Sequence, residues 1–139
     1  MRILINQLKN IGDALLATTA IELVRKVYPD AWITLMTVPQ VVPFFEKHPL
    51  IDEILLFAYK SKESSISSMM KIVAEIKKRN FDVNISLESR LRTLLVAVSG
   101  NSRAYFWGWH GSLWRQKRML SVFVHAFISN YRPRKRTSK

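Results

Sequence analysis

Short apolar runs alternate along the chain with segments in which apolar residues recur at helical spacing. The runs predict buried strands at Met1–Leu8, Trp32–Val38, Ile51–Phe57, Asp82–Ser86 and Tyr105–Trp107. Strands separated by helices imply right-handed βαβ units and a parallel sheet. We therefore predict an α/β fold, a Rossmann-like parallel sheet with flanking helices.

The segments between the strands predict helices that are bounded by capping residues and breakers. They are Ala14–Val27, Val41–Lys47, a helix from Ser64 or Ser65 to Arg79, and Leu91–Ser99. After Trp107 both periodicities are lost. We expect one folded domain over residues 1–109 and a basic tail over residues 110–139, which is either disordered or a truncation product.

The first strand runs into the first helix through Asn10-Ile11-Gly12-Asp13-Ala14. A tight turn there lies at the carboxyl edge of a parallel sheet, where α/β folds bind ligands. Asp13 would then present a carboxylate at a ligand crevice. The alternative is structural, because Asp is a favoured N-cap whose charge suits the helix dipole, and Gly12 can supply a turn conformation. Residue types alone favour the cap.

Length and composition limit the kind of protein. A chain of 139 residues with 48% hydrophobic residues suits one globular domain. No cysteine is present, which excludes a disulfide framework and a thiol nucleophile and fits a reducing compartment. His110 and His125 lack neighbours of metal-ligand type, so we expect no metal and no cofactor. The apolar runs fall short of the ~20 residues that a membrane span needs, and no signal-peptide pattern opens the sequence.

Charge divides the chain near Glu88. All ten acidic residues lie in the first 88 positions, where eleven Lys and Arg bring the net charge to +1; residues 89–139 carry eleven Lys and Arg and no acid. This second part contains an aromatic and basic cluster: Tyr105, Phe106, Trp107, Trp109, Trp114, Arg115, Lys117 and Arg118. Three interpretations stay open: stacking on single-stranded nucleic acid, contact with an anionic membrane, or packing on a further domain.

Several short segments together match a family pattern. They are Gly12-Asp13 with Leu15, Thr18, Ala20 and Ile21; Tyr28-Pro29-Asp30-Ala31 with Ile33-Thr34-Leu35; His48-Pro49 with Ile51-Asp52-Glu53; Phe81-Asp82-Val83; and Leu87 to Thr93. In this order and spacing, the sequence from Met1 to about Trp109 resembles glycosyltransferase family 9, which contains the ADP-heptose:lipopolysaccharide heptosyltransferases. It departs from the family at Thr19, where proline is usual, and at Glu88-Ser89, where Gln-Gly is usual.

The resemblance implies the N-terminal, acceptor-binding domain of a two-domain GT-B glycosyltransferase. The implied reaction transfers heptose or a related sugar from a nucleotide-sugar such as ADP-heptose to lipopolysaccharide core. Asp13 is then the catalytic base of an inverting transfer, and Gly12, Lys60, Lys62 and Arg92 bind the acceptor.

The residues themselves leave alternatives for three of these assignments. Lys60 and Lys62 follow the third strand at the same sheet edge as Asp13, where they suit either an anionic group of the acceptor or a solvated loop. Arg92 can bind an acidic group with two hydrogen bonds, but Glu88 lies one helical turn away as an internal partner.

Members of this family are more than twice as long, and their donor nucleotide binds mainly in the C-terminal domain. We therefore expect an N-terminal fragment that is inactive alone, in which the change of composition after Glu88 reflects a frameshift or truncation. We also expect a cytoplasmic protein that contacts the inner face of the bacterial inner membrane peripherally. The surface for a membrane or polyanion comprises Trp109, Trp114, Arg115, Lys117 and Arg118. The rival hypothesis is a small basic module that binds nucleic acid or anionic membrane, and nucleic acid ranks lower as a partner.

Overall fold

Five parallel strands form one sheet with β1 at its centre. In the computed structural model, which describes residues 1–8, 11–57, 65–87 and 104–107, the strands are β1 (Arg2–Gln7), β2 (Trp32–Thr37), β3 (Glu53–Leu56), β4 (Val83–Ser86) and β5 (Ala104–Trp107). Their order across the sheet is β3-β2-β1-β4-β5, and each adjacent pair is parallel. The predicted α/β fold class and the five predicted strands are confirmed.

Three α-helices lie between these strands in the part of the chain that the structure describes. They are α1 (Ile11–Val27), α2 (Val42–Phe45) and α3 (Ser65–Arg79). The end of α3 agrees with the prediction: Asn80, which follows it, has a φ of 50°, the left-handed conformation that commonly terminates a helix. The beginning of α1 differs, because the helix starts at Ile11 rather than at Ala14.

The predicted short helix Val41–Lys47 is present but shorter. The chain makes a 3₁₀ turn at Pro39–Val41 and then α2, which ends at Phe45. Pro39 and Pro43 each lie at the beginning of one of these elements, where proline's fixed φ suits a helical start and its missing N–H costs nothing. A 3₁₀ turn that the sequence pattern did not predict therefore precedes the predicted helix.

Strand β3 is shorter than its sequence pattern predicts. The backbone N–H of Ile33 donates to Oδ2 of Asp52 at 2.7 Å, so a side chain takes a donor that a regular ladder would give to a strand carbonyl. Regular pairing begins one residue later, with Glu53 opposite Thr34. The acidic residue that weakens the strand pattern thus marks where the strand starts.

The two faces of the sheet carry separate hydrophobic clusters. Ile3, Ile5, Ile33 and Leu35 pack against α1 and α2 on one face, which we call the α1 face. Leu4, Met36 and Leu55 pack with Ile76 of α3 on the opposite face. Because successive side chains of a strand point to opposite faces, odd-numbered positions of β1 and β2 belong to the α1 face. The predicted helix Leu91–Ser99 and the predicted division at residues 109 and 110 lie outside the described residues.

Candidate functional site

The carboxyl ends of the parallel strands define one edge of the sheet, and α1 begins there. After β1 the chain continues into α1 and then to β2 on one side, whereas β4 pairs with β1 on the other side. The order therefore changes direction between β1 and β4. In open α/β sheets, ligands bind in the crevice outside the strand ends at such a switch point.

The first turn of α1 contains both Gly12 and Asp13. The helix begins at Ile11, so Asp13 is its third residue, and the suggestion that it is the N-cap is wrong. A first-turn carboxylate still interacts favourably with the helix dipole. The suggestion that Gly12 supplies a special turn conformation is also wrong, because none of the described glycines has a positive φ.

Gly12 instead leaves room at the start of the helix. Gly12 is exposed, and a Cβ atom added to it would meet no atom within 4 Å. The space beside the first turn of α1 is therefore open to a ligand. Asp13 follows Gly12 in this first turn of α1, which is a helix of 17 residues.

Polar residues close the carboxyl ends of the three central strands. β1 ends in Asn6 and Gln7, β2 in Thr37, and β4 in Ser86, and all four residues are at most 1% exposed. None of the four was among the predicted site residues. A signal was available, because each of these strands ends in a polar residue at this same edge.

One polar pair spans the switch point itself. Nδ2 of Asn6 on β1 donates to Oδ1 of Asn84 on β4 at 2.7 Å, and both side chains are fully buried. Oδ1 of Asn6 has no hydrogen-bond partner. The pair ties β1 to β4 across the switch point.

Gln7 and Thr37 form a second polar pair, on the α1 face. They are directly opposite each other in the β1–β2 register, and Leu56 of β3 continues the row. Nε2 of Gln7 and Oγ1 of Thr37 are buried and have no hydrogen-bond partner. A buried polar group without a partner costs roughly 1–3 kcal/mol, so two adjacent ones require a physical explanation.

Most of the other predicted site residues lie outside the described residues. These are Lys60 and Lys62, which were expected to bind the acceptor, Arg92, and the predicted membrane or polyanion surface of Trp109, Trp114, Arg115, Lys117 and Arg118. Their assignments stay predictions. Within residues 1–8, 11–57, 65–87 and 104–107, no three His, Asp or Glu side chains are grouped so as to hold a metal ion. Each helix in this part of the chain is too short or too polar to cross a membrane.

The amino edge of the sheet is built differently, around paired charges. Nη1 of Arg25 donates to the carbonyl oxygens of Pro29 and Ala31, each at 2.8 Å. Its Nη2 donates to the carbonyl oxygen of Leu50 at 3.0 Å and to Oδ2 of Asp52 at 2.7 Å. One guanidinium thus holds together the end of α1 and the segments that enter β2 and β3. An open groove beside Arg25 and Trp32 lies at this amino edge, at the opposite end of the strands from Gly12 and Asp13.

A second charged group at the amino edge centres on Glu53. Its carboxylate accepts hydrogen bonds from Arg79 and from Oγ1 of Thr34, and Nε of Arg79 also donates to Glu75 at 2.9 Å. Burial raises the pKa of Glu53, but the hydrogen bond and charge of Arg79, with hydrogen bonds from Thr34 and Trp32, outweigh it. The pKa therefore lies below its ordinary value of 4.5. These ion pairs and the hydrogen bond from Thr34 connect β2, β3 and α3 at the amino edge.

Solved glycosyltransferases share this architecture. A glycosyl transferase of family 9 from Veillonella parvula DSM 2008 superposes with a TM-score of 0.71 at 24% identity, over 92% of this chain and 40% of that one. E. coli ADP-heptose lps heptosyltransferase II gives a TM-score of 0.65 at 18% identity, over 76% and 30%. E. coli heptosyltransferase WaaC with ADP-2-deoxy-2-fluoro heptose gives 0.73 at 11% identity, over 98% and 51%.

The chain has the heptosyltransferase fold. The predicted likeness to glycosyltransferase family 9 is confirmed at the level of structure, and the chain spans between 30% and 51% of the lengths of the three proteins. No family model matches the sequence, and no curated protein matches it. At these identities the likeness to heptosyltransferases establishes the fold alone.

Proposed function

We infer that this chain is the acceptor-binding half of a glycosyltransferase. The enzyme would transfer heptose, or a related sugar, from a nucleotide-sugar such as ADP-heptose to lipopolysaccharide core. One observation carries the proposal: the first turn of α1, with Gly12 and Asp13, lies open at the carboxyl edge of a sheet whose fold is that of solved heptosyltransferases. This is the edge where α/β folds bind their ligands.

Asp13 is the proposed base. The acceptor's hydroxyl oxygen forms a bond to the anomeric carbon of the donor sugar, while the bond from that carbon to the nucleotide's diphosphate breaks. The hydroxyl proton passes to the Asp13 carboxylate, and the leaving nucleotide keeps the bonding electron pair. Attack from the side opposite the leaving group inverts the anomeric centre.

The position of Asp13 shapes its strength as a base. The positive end of the α1 dipole favours the ionised carboxylate, which keeps it ready to accept a proton but makes it a weak base. Orientation must then supply much of the rate, and a residue in the first turn of a long helix is held in a fixed place. The open space beside Gly12 gives the acceptor access to that place.

The nucleotide-sugar would bind mainly to a second domain. The chain covers 40% of the family 9 structure and 51% of WaaC, so about half or more of each of those proteins lies outside the matched part. We therefore expect the isolated 139 residues to transfer no sugar and to bind ADP only weakly. Submicromolar binding of ADP to this chain in calorimetry would show that its own sheet edge holds the nucleotide, and this division of roles would fail.

The decisive experiment completes the enzyme. The chain is fused to the C-terminal domain of a heptosyltransferase, and transfer from ADP-heptose to lipopolysaccharide core is measured by mass spectrometry. We expect product from the fusion and none from either half alone. A fusion that folds and binds ADP, yet leaves the core unmodified and does not bind it, would refute the proposed function.

A peripheral contact with the cytoplasmic membrane surface is a second proposal, supported by sequence rather than by geometry. Residues 89–139 carry eleven basic residues and no acid, and tryptophans accompany them. Such a segment suits anionic headgroups. Neutralising Arg115, Lys117 and Arg118 should weaken binding to vesicles of anionic phospholipid and reduce its salt dependence. If the same substitutions weaken binding to single-stranded DNA and leave vesicle binding unchanged, the nucleic-acid alternative is favoured instead.

A further inference from the structure

Two buried donors without partners lie side by side at the carboxyl edge. Nε2 of Gln7 and Oγ1 of Thr37 are contributed by residues directly opposite each other on β1 and β2, and both residues lie on the α1 face. Neighbouring strands are only ~4.8 Å apart, so one small polar group can reach both atoms. An apolar residue at either position would avoid the unsatisfied group.

The surroundings distinguish this pair from an internal packing defect. The row of residues continues from Thr37 to Leu56 on the edge strand β3, and Leu56 is 49% exposed. The first turn of α1 begins four residues after Gln7, and the space beside its Gly12 is open. The pair therefore lies between open space at α1 and the exposed end of β3.

The chemistry of the pair selects a neutral ligand group. A glutamine amide donates, and a threonine hydroxyl either donates or accepts. Both groups of the pair are uncharged, and the last two residues of each of the five described strands include no Lys or Arg. A hydroxyl can accept from the amide of Gln7 and give its own proton to Oγ1 of Thr37.

We propose that Gln7 and Thr37 form a subsite that binds a hydroxyl group of the saccharide acceptor. The subsite rests on the proposed function and adds to it, because it orients the acceptor beside the first turn of α1. Gln7 and Thr37 are positioning residues. Their unpaired atoms receive hydrogen bonds only when the saccharide is bound.

The chain supplies a matched control for the test. Thr34 lies on the same strand as Thr37 and is equally buried, but its Oγ1 donates to Glu53 at 3.2 Å. Thr37→Val and Thr34→Val make the same chemical change, once at an unpaired hydroxyl and once at a paired one. Gln7→Met removes the other unpaired donor while keeping the length of the side chain.

Two measurements on the full 139-residue chain separate the roles. Thermal unfolding should show Thr37→Val melting about 2–5 °C higher and Thr34→Val melting lower by a similar amount, because only the second change breaks a hydrogen bond. Calorimetric titration with lipid-free lipopolysaccharide core oligosaccharide should show roughly 3- to 10-fold weaker binding for Thr37→Val and Gln7→Met. Thr34→Val should bind like the unmodified chain.

The outcomes distinguish this subsite from the proposed function. If the unmodified chain binds the oligosaccharide and Thr37→Val and Gln7→Met bind it equally well, the subsite is wrong while the acceptor-binding role stands. A melting temperature of Thr37→Val that falls as far as that of Thr34→Val would show an internal partner, such as a fixed water, and would also overturn the subsite. If the unmodified chain does not bind the oligosaccharide at all, both proposals fail.

Discussion

The two edges of the sheet use polar side chains in opposite ways. At the amino edge, Arg25 makes four hydrogen bonds, and Glu53 binds Arg79 and Thr34. At the carboxyl edge, Asn6, Gln7 and Thr37 are buried and each keeps one polar atom without a partner. The polar side chains at the amino edge bind each other and the backbone, and so stabilise the fold. Those at the carboxyl edge keep polar atoms that bind no other group of the protein.

One residue at the amino edge qualifies this contrast. Nε of Arg2 is buried without a hydrogen-bond partner, but its guanidinium lies over the Phe81 ring at 5.9 Å. A cation above an aromatic face is stabilised by the ring quadrupole, so this group has a partner of another kind. The unpaired groups of the carboxyl edge are uncharged and have no such compensation. The comparison teaches that a buried polar group at a strand end indicates a candidate site only when no other group of the protein interacts with it.

The largest effect that we expect concerns Asp13. In the fusion enzyme, Asp13→Asn should lower turnover by ~10²–10⁴-fold, because the side chain keeps its shape but no longer accepts a proton. The melting temperature should change little. Glu22→Gln removes a carboxylate from an exposed position of the same helix and should leave turnover unchanged. Near-normal turnover of the Asp13→Asn enzyme would exclude Asp13 as the base.

Removing the guanidinium of Arg25 should have the largest effect on stability. Arg25→Met keeps much of the apolar stem but loses four hydrogen bonds, one of which is the ion pair with Asp52, so we expect a loss of about 1–3 kcal/mol in the free energy of unfolding. Urea denaturation measures it. Lys26→Met, at the adjacent exposed position, is the control and should cost less than ~0.5 kcal/mol. Equal effects of the two substitutions would mean that the amino edge is not held by Arg25.

Gly12 offers a smaller and opposite effect at the carboxyl edge. Gly12→Ala should stabilise the chain by roughly 0.4–1 kcal/mol, because the backbone is helical there and the added methyl meets no atom. If the open space serves the acceptor, the same substitution should raise KM for the acceptor in the fusion enzyme. Steady-state kinetics at varied acceptor concentration tests this, and an unchanged KM would remove Gly12 from the acceptor site.

The smallest effect is a pH dependence of stability from the amino edge. The pKa of Glu53 is lower in the folded chain than its ordinary value of 4.5, so its contribution is fully present above pH 4.5 and is lost as pH falls through the folded pKa. The pair is partly exposed, and solvent screening keeps the effect modest. Urea denaturation from pH 7 to pH 3 should show a weaker acid dependence for Glu53→Gln than for Glu46→Gln, an exposed control.

Sequence periodicity predicted the sheet well because the strands alternate with helices over most of the described chain. The strand bounds differ from the predicted ones by one or two residues, and the helix pattern of α3 has the predicted end at Arg79. The short helix predicted over Val41–Lys47 is found as α2, but the 3₁₀ turn before it, at Pro39–Val41, was not predicted. The prediction also placed the start of α1 too late, because Gly12 was read as a turn residue.

The candidate site was less accessible to sequence reasoning. Asp13 was found through its place between a strand and a helix, but Gln7 and Thr37 were not, since a polar residue at a strand end is ordinary in isolation. Their significance depends on pairing across β1 and β2, which joins positions thirty residues apart. That both atoms lack a partner is a property of three-dimensional packing, which no pattern along the chain encodes.

The hydrogen bond between Asn6 and Asn84 has a consequence for the order of folding. During synthesis, β1, β2 and β3 are all available once residue 56 has been made, and they can pair with each other. The other side of β1 stays an open strand edge with apolar residues until β4 is made, nearly eighty residues after β1. Pairing over such separations is slow, and an unpaired apolar edge invites association between chains. Asn6→Leu, which makes that edge more apolar and leaves Asn84 without this donor, would therefore favour aggregation of nascent chains.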